Sequence, residues 1–216
     1  MRQRLERLSG KRRNATRAAL AMAVGVVLSA TTLAPKLAIG QTKPAVEADD
    51  LADRARKAHA VTHTFHERYK QELATAMKDG PVAAAGAYAE FATGIASTLS
   101  EETPFEITRT ATRVRNADNL PDAWELANLE SFAKQIKNGA DPKKLETYSV
   151  TTTKEGQRLF RYMRPIMMVE QCLVCHGTDV KGDVKAEITK TYPDDKALGY
   201  NLGEMRGAFT LIQQLD

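Results

Sequence analysis

The chain has only two cysteines, and they stand three apart with a histidine directly behind them: Cys172-Leu173-Val174-Cys175-His176. Two thiols at this spacing can form thioethers with the two vinyl groups of a haem, and the imidazole that follows then lies under the iron. Spacing and order both matter to that chemistry. A zinc site would want four ligands, usually through a second Cys or His pair, and no second cysteine pair exists. A redox disulfide of this spacing would open a helix inside a βαβ unit, whereas here a strand leads into the motif. The motif therefore predicts one covalent haem c, held by Cys172 and Cys175, with His176 as the proximal iron ligand.

Other side chains are candidates for the remaining positions around such a group. His59, His63 and His66 are four and three apart, so they lie within about 60° of one another on one helix face, and one of them could reach the iron. The plainer alternative is a solvated or interface stripe, since Lys70 shares that face. Met163, Met167, Met168 and Met205 are thioether candidates, and an open position is a further alternative. Arg109, Arg113 and Arg115 alternate with strand periodicity, and a guanidinium fork suits haem propionates. Arg109 and Arg113 are candidate haem contacts on that ground, with Arg161 and Arg164 as alternatives, against a simple solvated sheet face.

These residues need elements to position them. From Val46 to Lys78 there is neither Gly nor Pro and helix formers dominate, so a long helix runs to the stop at Gly80-Pro81. A second, alanine-rich helix is predicted from Val82 to Leu99, and a strand of β-branched alternation from Glu106 to Arg115. Asp122 caps a helix bearing Trp124, Leu129, Phe132 and Ile136 that ends near Gly139. Strands from Glu146 to Thr153 and Gln157 to Val169 flank a turn at Lys154-Glu155-Gly156. Lys181 to Asp195 is polar and reads as loop, and Gly207 to Leu215 as a closing strand. Helices flanking four or five antiparallel strands make an α+β domain.

The blocks around the motif resemble the PAS-like c-type haem family. They are Arg161-Tyr162-Met163-Arg164-Pro165-Ile166, Cys172 through Gly177, Tyr192-Pro193-Asp194-Asp195-Lys196-Ala197-Leu198-Gly199-Tyr200, and Gly203-Glu204-Met205-Arg206-Gly207-Ala208-Phe209. Arg109-Thr110 and the run from Val114 to Glu125 are similar to a second signature of that family. The resemblance implies a PAS-like antiparallel sheet with a long N-terminal helix, carrying one covalent haem. It also implies occurrence either as a free periplasmic protein or as the sensory part of histidine kinases, and it adds Tyr162 to the haem contacts. A homodimer paired through the long helix is a further implication. In the family a cysteine on the second helix is associated with the distal side of the iron; here that register falls on Tyr88, so thiolate ligation there is excluded. Phenolate ligation by Tyr88 joins the distal alternatives.

The first forty residues differ from the rest. Arg2, Arg4, Arg7, Lys11, Arg12, Arg13 and Arg17 oppose one acid, Glu6, and the stretch from Ala18 to Ala34 is small, apolar and uncharged. With small residues at Ala38 and Gly40 for cleavage, residues 1–40 read as a secretory signal, residues 41–50 as a linker and 51–216 as the haem domain. The apolar run of about seventeen residues also leaves an uncleaved inner-membrane anchor as an alternative. Residues 1–40 hold 8 of the 31 Lys and Arg but 1 of the 27 Asp and Glu, so the remainder carries 23 basic against 26 acidic residues. The sequence pI near 9.0 thus belongs to the targeting segment and gives no support to nucleic-acid binding.

The expected function is a periplasmic redox or diatomic-gas module for NO, CO or O2, acting through a redox or signalling partner protein. A single-haem electron carrier and a haem enzyme acting on a small nitrogen or oxygen species are the alternatives. The enzyme ranks last, because no general acid or base can be placed near the iron from the sequence.

Overall fold

The computed structural model describes residues 43–215, with side chains from residue 48 onward. The segment expected to be a secretory signal lies outside the described residues. Chain contacts divide the protein between Asp50 and Leu51, and the compact unit from Leu51 onward carries the sheet, its packing and the candidate site.

Among the described residues, six α-helices and strands precede the motif helix. Helix α1 spans Lys43–Ala76, α2 Pro81–Glu102, strand β1 Glu106–Thr110, α3 Ala123–Lys137, β2 Thr147–Thr152 and β3 Arg158–Met167. The motif itself forms the short helix α4, Glu170–His176, followed by α5, Gly182–Thr191, and strand β4, Met205–Gln214. The four strands form one antiparallel sheet in the order β1-β4-β3-β2. The α+β class and the antiparallel sheet expected from the sequence are both present.

The period-2 alternation of each strand divides the sheet into two buried faces. One carries Ile107, Phe160, Tyr162, Phe209 and Leu211, and it packs against Ala55, Ala58, Val61 and Phe65 of α1 with Ile95 and Leu99 of α2. The α1 residues recur at intervals of three and four, which puts them on one helical stripe. The opposite face presents Met163 and Ala208 to Leu129 and Phe132 of α3. That helix starts with a capping box: Glu125 N donates to Asp122 Oδ1 at 2.9 Å, and Asp122 N to Glu125 Oε2 at 3.1 Å. Asp122 and Glu125 also pair with buried Arg161 at 2.7 and 3.3 Å, which ties the start of α3 to the central strand β3.

Three expectations need correction. Helix α1 begins at Lys43, three residues before the Val46 start expected from the sequence and inside the stretch 41–50 read as a linker. The stretch from Lys181 to Asp195 contains helix α5, which buries only Val184 and Ile188, a pair too sparse to give a periodic signal against so many polar neighbours. Strand β1 stops at Thr110 rather than Arg115. There Gly207 of β4 crowds against Thr110 and Ala111, and the chain leaves the sheet. Arg113 and Arg115 therefore do not extend a strand face with Arg109; they turn toward the segment around residues 195–200.

Candidate functional site

Strand β3 delivers the chain to Met167, and α4 begins three residues later at Glu170. One helical turn places Cys172 and Cys175 on the same side, both half-buried and neither in a disulfide. Loss of water contact raises both thiols above their ordinary value.

His176 ends the helix and is buried, with 7% of its surface exposed. Its Nδ1 lies 2.7 Å from the Ala197 carbonyl oxygen, which can only accept, so Nδ1 carries the proton and Nε2 keeps a free lone pair. Arg115 Nη2 lies 3.2 Å from the same Nδ1, but two donors cannot bond each other, and Nη2 instead donates to the Cys175 carbonyl at 2.6 Å. Burial, followed by the charges of Arg206 and Arg115, drives the imidazole far toward its neutral form. A neutral ring with Nδ1 anchored and Nε2 free is the state a metal ligand needs.

The segment after α5 holds this arrangement in place. Tyr200 N donates to the His176 carbonyl at 3.0 Å and Gly199 N to the Gly177 carbonyl at 2.9 Å. Arg115 Nε donates to Asp195 Oδ2 at 3.0 Å, a pair with 4% and 7% side-chain exposure, while Asp195 Oδ1 accepts from Ala197 N at 2.7 Å. Arg115 thus fixes both the helix end and the carbonyl that orients the histidine. The Arg113 guanidinium carbon lies over Tyr200, 3.6 Å from the ring centroid, and Arg113 donates to the Leu198 carbonyl at 3.0 Å. Tyr200 meets His176 edge-on at 6.4 Å, and Arg206 donates to the Arg113 carbonyl at 3.1 Å.

Helix α2 packs against both α4 and α5, and it brings Tyr88 to this neighbourhood. Arg109 Nη1 donates to Tyr88 Oη at 2.9 Å, and the Arg109 guanidinium is boxed by the rings of Phe65, Tyr69 and Tyr88 at 5.4, 5.9 and 5.6 Å. Loss of water contact pushes the Tyr88 phenol up, but Arg109, Arg206 and Arg115 outweigh it and hold the phenol below its ordinary value. The same three guanidinium groups act on His176, so the phenol and the imidazole share one electrostatic environment.

Other candidates lie elsewhere. His59 is engaged at both ring nitrogens: Nδ1 with Glu146 Oε2 at 2.9 Å, and Nε2 accepting from Arg164 Nη1 at 2.9 Å. Tyr162 donates its hydroxyl to the same Glu146 oxygen at 2.6 Å, and burial with that bond pushes its phenol up. His63 and His66 are exposed. Met163 and Met205 pack with α3, and Met168 packs with Ala197 and Tyr200 beside Cys172. The structure thus groups Cys172, Cys175, His176, Arg109, Arg113 and Tyr88, and engages His59 and Tyr162 in a separate cluster with Glu146. Asp195, Ala197 and Arg206 were missed as site residues, although the similar blocks from Tyr192 to Tyr200 and Gly203 to Phe209 contain all three.

The donor set fits a haem c. It offers two unbridged thiols one turn apart and a neutral histidine with a free Nε2, and among the described residues no group of three or more His, Cys, Asp or Glu could hold a metal ion alone. The profile of the Tll0287-like family, described as Tll0287, matches residues 43–213. The chain belongs to the Tll0287-like family. The fold is similar to the crystal structure of the cyanobacterial haem protein Tll0287, with a TM-score of 0.56 and 20% identity over 76% of this chain and 96% of that one. No curated protein matches the chain.

Proposed function

We propose that this Tll0287-like chain is a periplasmic single-haem c-type protein that works as a redox or diatomic-gas binding and sensing module. The observation that carries the reading is the asymmetry of the donor set. On one side the thiols of Cys172 and Cys175 and the free Nε2 of His176 are ready for permanent bonds. Tyr88 and Arg109 share the environment of His176 through Arg115 and Arg206, while His59 has both nitrogens engaged and Met163 lies in the α3 core.

An electron carrier keeps two strong ligands in both oxidation states, and its usual second ligand is an imidazole or thioether. A phenol is a poor partner for ferrous iron, so a site with Tyr88 as its nearby donor favours exchange with an incoming ligand. A bound haem would supply an iron whose charge and coordination change with reduction or with NO, CO or O2. The chain's own part is to hold His176 through Ala197, to hold Ala197 through Asp195 and Arg115, and to relay displacement through β1 and β4, which carry Arg109 and Arg206. Export through residues 1–40, a redox or signalling partner and pairing through α1 belong to the same proposal.

The test is the absorption spectrum of the reduced, haem-loaded protein with and without carbon monoxide or nitric oxide. A large shift of the main haem band on adding either gas is expected. A six-coordinate reduced spectrum that neither gas alters would sink the sensor reading in favour of electron transfer.

A further inference from the structure

The phenol of Tyr88 has one unmet hydrogen-bonding capacity. Its oxygen accepts from Arg109 Nη1 at 2.9 Å, and among the described hydrogen bonds its O–H donates to nothing. The side chain is half-buried and stands beside Tyr69, with ring centroids 6.1 Å apart. The guanidinium carbons of Arg109 and Arg115 lie 5.6 and 5.8 Å from its ring centroid. One guanidinium bonded to the oxygen and a second against the ring favour an anion there. Arg109 cannot easily leave, since the rings of Phe65 and Tyr69 enclose it as well. An oxygen held by a cationic donor, with its own proton unclaimed, suits a bond to a cationic metal.

Several competitors are otherwise employed. His59 is bonded at both nitrogens, Met163 is sealed against Leu129 and Phe132, and Met168 packs beside Cys172 and Leu173, on the side of the motif helix itself. Tyr69 has no cation bonded to its hydroxyl in the described structure.

We propose that Tyr88 is the second protein ligand of the oxidised iron, with Arg109 as the residue that positions its oxygen. This rests on the haem reading given above. Ligation forms one oxygen–iron bond, sends the phenolic proton to bulk water and transfers no electron. Under this assignment the protein is a histidine–tyrosinate haem protein when oxidised.

The test uses the full chain expressed with a haem-attachment system, and resonance Raman spectra of its oxidised form with ordinary and ring-deuterated tyrosine. Tyrosinate bands that shift with the label are expected. They should vanish in Tyr88→Phe and survive in Tyr69→Phe and Tyr192→Phe, while Tyr88→Phe keeps its covalently bound haem on a denaturing gel. The midpoint potential of Tyr88→Phe should rise, because an anionic ligand that favours the oxidised iron has gone. Loaded wild-type protein without such bands, or bands that persist in Tyr88→Phe, overturns the assignment and leaves haem attachment standing. Wild-type protein that carries no covalent haem overturns the haem reading itself, and this assignment with it. Should Tyr88→Phe fail to fold, the label shift together with the Tyr69→Phe and Tyr192→Phe spectra decides: loss of the bands in either variant assigns them to another tyrosine.

Discussion

Gly177 belongs with the five residues before it. A Cβ on Gly177 would lie 2.6 Å from the Leu173 carbonyl oxygen, the same atom that accepts the Gly177 N–H at 2.8 Å and closes α4. No flexible side chain is available to yield, because the obstacle is backbone. Gly177→Ala should therefore shift the end of α4 and cost about 1–3 kcal/mol as overpacking does. It should also move His176 off the Ala197 carbonyl, lowering the fraction of chains that carry haem. Urea midpoints of the unloaded protein and haem staining of the loaded one check both effects; a variant with wild-type midpoint and staining would refute the steric account. The Cys and His of the candidate site stand together in one local motif, so spacing alone marks them as candidates. The Ala197 carbonyl and Arg115 are not so marked, since they come from 21 and 61 residues away and only the fold brings them to Nδ1.

Among the elements, α1 is tied to the sheet by more than its apolar stripe. His59 of α1 and Tyr162 of β3 meet at Glu146, just ahead of β2, with Arg164 closing the cluster. Partial burial raises the Glu146 carboxyl, but the bonds from His59 and Tyr162 and the charge of Arg164 outweigh it and hold the group below its ordinary 4.5. A carboxyl lowered on folding stabilises the fold above its unfolded value and loses that contribution as pH falls through the folded one. Glu146→Gln should therefore be less stable than wild type at pH 7, by on the order of 0.5 kcal/mol given the solvent screening at this half-exposed site. The gap should close as the pH drops below about 4, in the carboxylate range. Urea midpoints for both proteins at pH 7 and in acid provide the comparison, and a gap that widens in acid would exclude the carboxylate as its source. The capping box of α3 and the alternation of β3 and β4 were readable because each writes its own period into the sequence. Helix α5 was not, since its two buried residues owe their place to packing against α2 rather than to any stripe of their own.

At the scale of the whole molecule, charge and compartment belong together. Residues 1–40 carry 8 basic residues against 1 acidic, and the remainder is mildly acidic, so the chain's overall net charge of +4 says little about the folded domain. Under the proposed function the thiols of Cys172 and Cys175 must stay out of a disulfide until haem arrives, which in an oxidising compartment would make attachment a step of export rather than of folding. The half-buried, unbridged Cys172 and Cys175 on one helical turn are compatible with that order of events. If residues 1–40 are the export signal, the full chain expressed with a periplasmic attachment system should yield a haem-stained product shortened by about 40 residues. The same chain lacking residues 1–40 should accumulate without haem and with two titratable thiols. Mass spectrometry and thiol titration read these outcomes directly. Haem-loaded protein from the shortened chain would break the link between export and attachment, whereas a loaded product that retains residues 1–40 in the membrane fraction would make that segment an anchor instead.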